Sequence, residues 1–198
     1  VLEGDDPAAH PLKPLYQKYG VSARYVDFFE SFGPTRGATH SLGLESGSFD
    51  TLLCWETLEH FNFNPVKFVR ELHRVLKPGG RVCAPVPTPA TFKNLVRLAL
   101  GRSEQRLIDS YFHFEDYVSN GKNAFYGFHW REYSAVELGH LFARAGFHVR
   151  VCGTFVAFEG HSQTSPGRKL ARLASAVLGG TFRRYGTHVC LVAEKPAS

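Results

Sequence analysis

Trp55, Glu56, Glu59 and His60 stand within one short run, and their types can hold a cation or move a proton. An aromatic face attracts a cation. A carboxylate accepts hydrogen bonds, and an imidazole that is neutral near pH 7 can take a proton. Two other places offer similar chemistry. Glu3, Gly4, Asp5 and Asp6 combine carboxylates with a glycine that lets the backbone approach a ligand. Asp27 is a lone carboxylate able to accept two hydrogen bonds from sugar hydroxyls. His129 is a further histidine, set among aromatic residues. Each has a plainer reading. Asp27 can be a turn or cap residue, and Trp55 can be core. His60 can satisfy a local backbone group, and His129 can pack in the aromatic cluster.

These residues become a site only if the chain brings them to the ends of strands. Val1 to Glu3 reads as the end of an apolar strand. Leu12, Leu15, Tyr16 and Tyr19 follow at helical spacing, with Gly20 as the stop. Ala23 to Val26 reads as a short strand ending at Asp27, and residues 31–47 as loop. Phe49 to Cys54 has the short apolar pattern of a strand buried on both faces. Pro65 to Leu76 is an amphipathic helix with Pro65 in its first turn. Pro78-Gly79-Gly80 then imposes a stop and a turn. Arg81 to Val86 is a strand and Phe92 to Leu100 a helix. Ser134 and Glu137 form a capping box for a helix that Gly146 closes. His148 to Phe158 and Thr187 to Ala193 read as late strands, and Arg168 to Leu178 as a basic amphipathic helix between them. Strands alternating with helices predict an α/β fold, an open and mostly parallel sheet with helices on both faces. In such a sheet ligands bind at the carboxyl ends of the strands, where Glu3–Asp5, Asp27 and Trp55–Glu56 fall.

With 198 residues, 43% of them hydrophobic and 21% charged, the chain suits one soluble globular domain over residues 1–198. No internal repeat or domain boundary interrupts it. No apolar run reaches the length of a membrane-spanning helix. No charged, apolar and small-residue series opens the sequence, so no secretory leader is expected. Cys54, Cys83, Cys152 and Cys190 are widely spaced and each falls on a predicted strand. They read as reduced core thiols of a cytoplasmic protein, with no metal motif. The net charge of +5 is scattered except at Arg168-Lys169, Arg172 and Arg183-Arg184. It is read as a solvated basic face, with no nucleic-acid partner expected.

The stretch Ser46 to His60 closely resembles the fourth-strand region of small-molecule class I S-adenosylmethionine-dependent methyltransferases, type 11-like. The family pattern there is S-F-D, an apolar strand, then L-E-H, matched by Ser48-Phe49-Asp50 and Leu58-Glu59-His60. Phe68 to Gly80 resembles the family's "E-x-x-R-V-L-K-P-G-G" helix and turn, at the matching distance. Arg131-Glu132-Tyr133-Ser134, Glu137-Leu138 and Ala145-Gly146-Phe147 resemble its later "R-x-Y-[ST]…E-L…A-G-F" segment.

The resemblance implies a Rossmann-like sheet with a late antiparallel strand, and methyl transfer from S-adenosylmethionine to a small-molecule, lipid or sugar acceptor. Glu3, Gly4 and Asp5 would border the methionine part of the cofactor, Asp27 would hold the ribose, and Trp55 and Glu56 would flank the sulfonium. His129 and His60 are the candidate bases. Residues 101–131 would cover the substrate. The 159–185 insertion would extend that cover or touch an anionic surface. A monomer or homodimer is expected. The family's first strand ends in acid-x-G-x-G-x-G, whereas here Glu3 and Gly4 are adjacent and the later glycines are absent. That departure supports an alternative, a methyltransferase-like binding or scaffolding domain with a degenerate cofactor site. A nicotinamide enzyme is disfavoured because no G-x-G-x-x-G follows a strand.

Overall fold

Every second residue along two central strands is apolar and fully buried, and this alternation builds the core. The strands belong to a computed structural model that describes residues 2–3, 13–34, 36–102, 129–155 and 186–197. In chain order the elements are β1 (Leu2–Glu3), α1 (Lys13–Lys18), β2 (Arg24–Tyr25), α2 (Phe28–Phe32) and β3 (Phe49–Leu53). A single 3-10 turn, Leu58–His60, leads to α3 (Val66–Val75), β4 (Leu76–Pro87) and α4 (Phe92–Ala99). After residue 128 come α5 (Ala135–Arg144), β5 (His148–Phe155) and β6 (His188–Glu194).

β1 and β2 pair in parallel as one small sheet, and a second sheet runs β3-β4-β6-β5. β3 and β4 are parallel. β6 lies between β4 and β5 and is antiparallel to both, which is the late antiparallel strand expected from the sequence. Val82, Ala84 and Val86 of β4 and Val189, Leu191 and Ala193 of β6 form the buried face. Phe68, Val69, Leu72 and Val75 from α3, and Leu138 and Phe142 from α5, complete the core. Each of the Val, Leu and Phe side chains among them contributes about 1.5–3 kcal/mol on burial. The capping box forms as read: the Ser134 hydroxyl accepts from Glu137 N–H, and the Glu137 carboxylate accepts from Ser134 N–H.

Three expectations change. β3 is not buried on both faces: Asp50, Thr51 and Leu53 are exposed, because β3 ends the four-strand order and only β4 pairs with it among the described residues. Residues 31–47 are not all loop, since α2 extends to Phe32. It forms because Asp27 caps it and because Phe28 and Phe32 pack edge-on against Phe68. Pro78-Gly79-Gly80 does not separate helix from strand. The strand begins at Leu76, and the glycines pass through it beside a register shift. Gly79 N–H donates to Lys195 C=O and Lys195 N–H to Gly80 C=O, so these residues stay paired despite the φ of +77° at Gly79. Residues 103–128 of the expected substrate cover, and all of the 159–185 insertion with its Arg168–Leu178 helix, lie outside the described residues.

Candidate functional site

At the carboxyl end of β3 the chain leaves the sheet through Cys54, Trp55 and Glu56. Cys54 is buried, whereas the Trp55 ring is 58% exposed, so Trp55 is not a core residue. Glu56 N–H donates to Pro85 C=O of β4 at 3.0 Å, which fixes the exit from the strand. Glu56 itself has φ +42°, a left-handed conformation that is uncommon for a residue with a side chain. Such strain concentrates at sites where the surroundings must hold a residue in place. Here the holding contact is His188 at the start of β6, whose Nε2 lies 3.1 Å from Glu56 Oε1. Thr187 Oγ1 is 2.9 Å from His188 Nδ1 and orients that ring.

The 3-10 turn then presents Glu59 and His60. The Glu59 carbonyl accepts Trp130 N–H at 2.7 Å and Arg131 N–H at 3.3 Å. This main-chain clamp joins residues 71 and 72 positions apart and lays His129 against His60, ring centroids 4.9 Å apart and edge-to-face. Glu59 is fully buried, and neither carboxylate oxygen has a hydrogen-bond partner among the described residues. Its Oε1 lies 3.8 Å from His60 Nε2. Burial pushes the Glu59 pKa up to about 7, against partial pulls downward from its own main chain and then from His129. His129 is held above its ordinary value chiefly by Glu132, whose Oε1 is 3.7 Å from His129 Nδ1, with Glu59 adding to the effect.

Asp27 has a structural task. Its Oδ1 accepts Glu30 N–H at 2.9 Å and caps α2. The next residue, Phe28, packs on Phe61, which directly follows His60, so the cap adjoins the turn that carries the histidines. Glu3 closes β1, and Gly4 and Asp5 lie outside the described residues. The structure thus gathers Glu56, His60 and His129 around the end of β3. It brings in Glu59, which the sequence had grouped with His60, and adds Glu132 and His188, to which sequence reasoning gave no role. Glu59 carried a sequence signal in its place inside Leu58-Glu59-His60. His188 carried none, being 132 positions from its partner Glu56.

Residues 16–84 match the family model described as "Methyltransferase domain". The sequence matches no curated protein. Several solved structures share the fold. One is a chain from a Haloferax volcanii complex that contains the Trm112 methyltransferase activator: identity 16%, TM-score 0.58, covering 98% of this chain and 70% of that one. Another is a SAM-dependent methyltransferase of Methanosarcina mazei: identity 12%, TM-score 0.53, covering 100% and 81%. A third, from Thermotoga maritima, is described as a SAM-dependent methyltransferase and possible histamine N-methyltransferase: identity 20%, TM-score 0.51, covering 98% and 72%.

Proposed function

The chain has the class I methyltransferase fold, and from this premise we propose that it transfers a methyl group from S-adenosylmethionine to a small-molecule, lipid or sugar acceptor. The observation that carries the reading is the family match over residues 16–84, which spans Asp27, Trp55 and Glu56. The residues present suit the cofactor. An exposed Trp55 ring at a strand end offers its face to a cation. Glu56, paired with His188, places a carboxylate on the adjoining residue. Glu3, Gly4 and Asp5 would border the methionine part, and Asp27 would accept the ribose hydroxyls.

S-adenosylmethionine, when bound, supplies an electrophilic methyl on a sulfonium centre. The chain's own part is to align the acceptor and, where the acceptor must lose a proton, to take it. His129 is the first candidate base, and Glu132 beside it would stabilise the imidazolium formed once the proton is taken. His60, edge-on to it, is the second candidate. Residues 101–131 would cover the acceptor. We place the protein in the cytoplasm, as a monomer or homodimer. No helix among the described residues is long and apolar enough to cross a membrane. Contact with an anionic surface would fall to the basic 159–185 segment.

Titration calorimetry with S-adenosylhomocysteine tests this. Saturable heat at a 1:1 ratio is expected, and a folded sample giving no heat overturns the enzyme reading. That second outcome would favour a methyltransferase-like binding module, for which the adjacency of Glu3 and Gly4 and the capping task of Asp27 speak.

A further inference from the structure

We propose that Glu59, His60 and His129 form a binding site for a divalent first-row transition-metal ion. Each residue offers one donor atom, a carboxylate oxygen or a ring nitrogen, and the three donors lie within 4.8 Å of one another. Two imidazoles and one carboxylate suit zinc, iron, cobalt or manganese. Magnesium and calcium prefer oxygen donors throughout.

Three independent features support the site. The Glu59 carboxylate is fully buried with neither oxygen hydrogen-bonded among the described residues, and a buried carboxylate is ordinarily paired or bound to a metal. His129, although distant in sequence, is brought there by a backbone clamp on Glu59 itself, so the cluster is built rather than accidental. Finally, Glu132 stands 3.7 Å from His129 Nδ1. At that distance the carboxylate pairs with the ring by charge, an outer acidic partner of the kind that accompanies metal-bound histidines. The spacing is wider than a filled coordination sphere. Closure requires the side chains of His60 and His129, both partly exposed, to turn toward Glu59 on binding. Three protein ligands leave open positions for water or an acceptor's oxygen. Bound in this way, His60 and His129 would serve as ligands rather than bases.

The inference does not depend on cofactor binding, so its test uses the metal alone. Chelator-treated protein is titrated with Co²⁺, followed by visible d–d absorption, and with Zn²⁺ by calorimetry. One ion per chain is expected, with bands of nitrogen and oxygen ligation. Glu59→Gln and His129→Ala should each weaken binding at least ~10-fold, since loss of even an outer partner costs ~10–100-fold. His129 is exposed, so His129→Ala decides the matter even where Glu59→Gln fails to fold. Absence of Co²⁺ bands and of Zn²⁺ heat overturns the proposal. So does binding that His129→Ala leaves unchanged, or bands with thiolate charge-transfer character.

Discussion

Arg74 grips Glu71 with two hydrogen bonds, Nε to Oε2 at 2.6 Å and Nη2 to Oε1 at 2.7 Å. The same carboxylate accepts Leu42 N–H at 2.7 Å and the Ser41 hydroxyl at 3.2 Å. Arg74 in turn donates to Ser46 Oγ and to Leu44 C=O, each at 2.6 Å. One ion pair on α3 therefore staples the segment 41–46 that feeds β3.

Glu71→Ala should cost about 2–3 kcal/mol at pH 7. That is less than for a fully buried pair, because Arg74 is 37% exposed and water screens it. Burial alone would raise the Glu71 pKa. The Arg74 hydrogen bonds, with Leu42 N–H and the Ser41 hydroxyl, outweigh burial and hold it below the ordinary 4.5. A depressed pKa stabilises the fold above the unfolded value, and that stability is lost as pH falls through the folded value. Urea unfolding should show the gap between wild type and variant closing as pH drops below 4.5. A gap independent of pH would remove the electrostatic account.

Gly80→Ala should destabilise by about 1–3 kcal/mol. A methyl group there would stand 2.8 Å from Lys77 C=O and 3.1 Å from Asp50 C=O, both main-chain atoms that cannot swing aside. Gly79→Asn should cost less, about 1 kcal/mol or under, since only the positive φ opposes it. Open space surrounds Gly79, and Asn adopts its positive φ more readily than most residues. Thermal unfolding of the two variants side by side checks this contrast.

Asp27→Ser separates two tasks. Serine caps a helix about as well as aspartate, so stability should hold within about 0.5 kcal/mol. Affinity for S-adenosylhomocysteine should fall at least ~10-fold if the Asp27 carboxylate holds the ribose, the loss of charged hydrogen bonds being worth about 1.5–3 kcal/mol. Equal affinity in calorimetry would leave Asp27 as a cap only.

Cys54 should resist alkylation in the native state at pH 8. Burial pushes its thiol up to about 12, and only the thiolate is nucleophilic. Labelling with iodoacetamide followed by peptide mass spectrometry should find Cys54 unmodified until the protein is unfolded by urea. Rapid native labelling there would contradict the packing around the end of β3.

Much of this fold was legible because its motifs turn out to be scaffold. The Ser48-Phe49-Asp50 and Lys77-Pro78-Gly79-Gly80 blocks touch: Lys77 Nζ lies 2.9 and 2.8 Å from the two Asp50 oxygens, and Ser48 N–H donates to Val75 C=O. Local periodicity revealed α3 and the capping box revealed α5, since each depends on residues three or four apart. What stayed hidden depended on distant partners. α2 is only five residues long, and its six-phenylalanine surroundings, from Phe28 to Phe68, come from three separate segments. The openness of β3 follows from sheet order, which an apolar run cannot reveal. The candidate site was half legible: Trp55, Glu56 and His60 sit in one motif, whereas His129 and His188 arrive through folding.

Glu59 makes two kinds of contact with different atoms, and this makes it a separation-of-function position. Its main-chain oxygen anchors residues 130 and 131, and its side chain faces the histidines. Edits to the side chain therefore change the chemistry while the main-chain acceptor of the clamp stays in place. Trp130→Pro does the reverse: it deletes the shorter of the clamp's two N–H donations and loosens His129 while every acid and imidazole remains in the sequence. Comparing the two edits tells whether the cluster works by its composition or by its assembly.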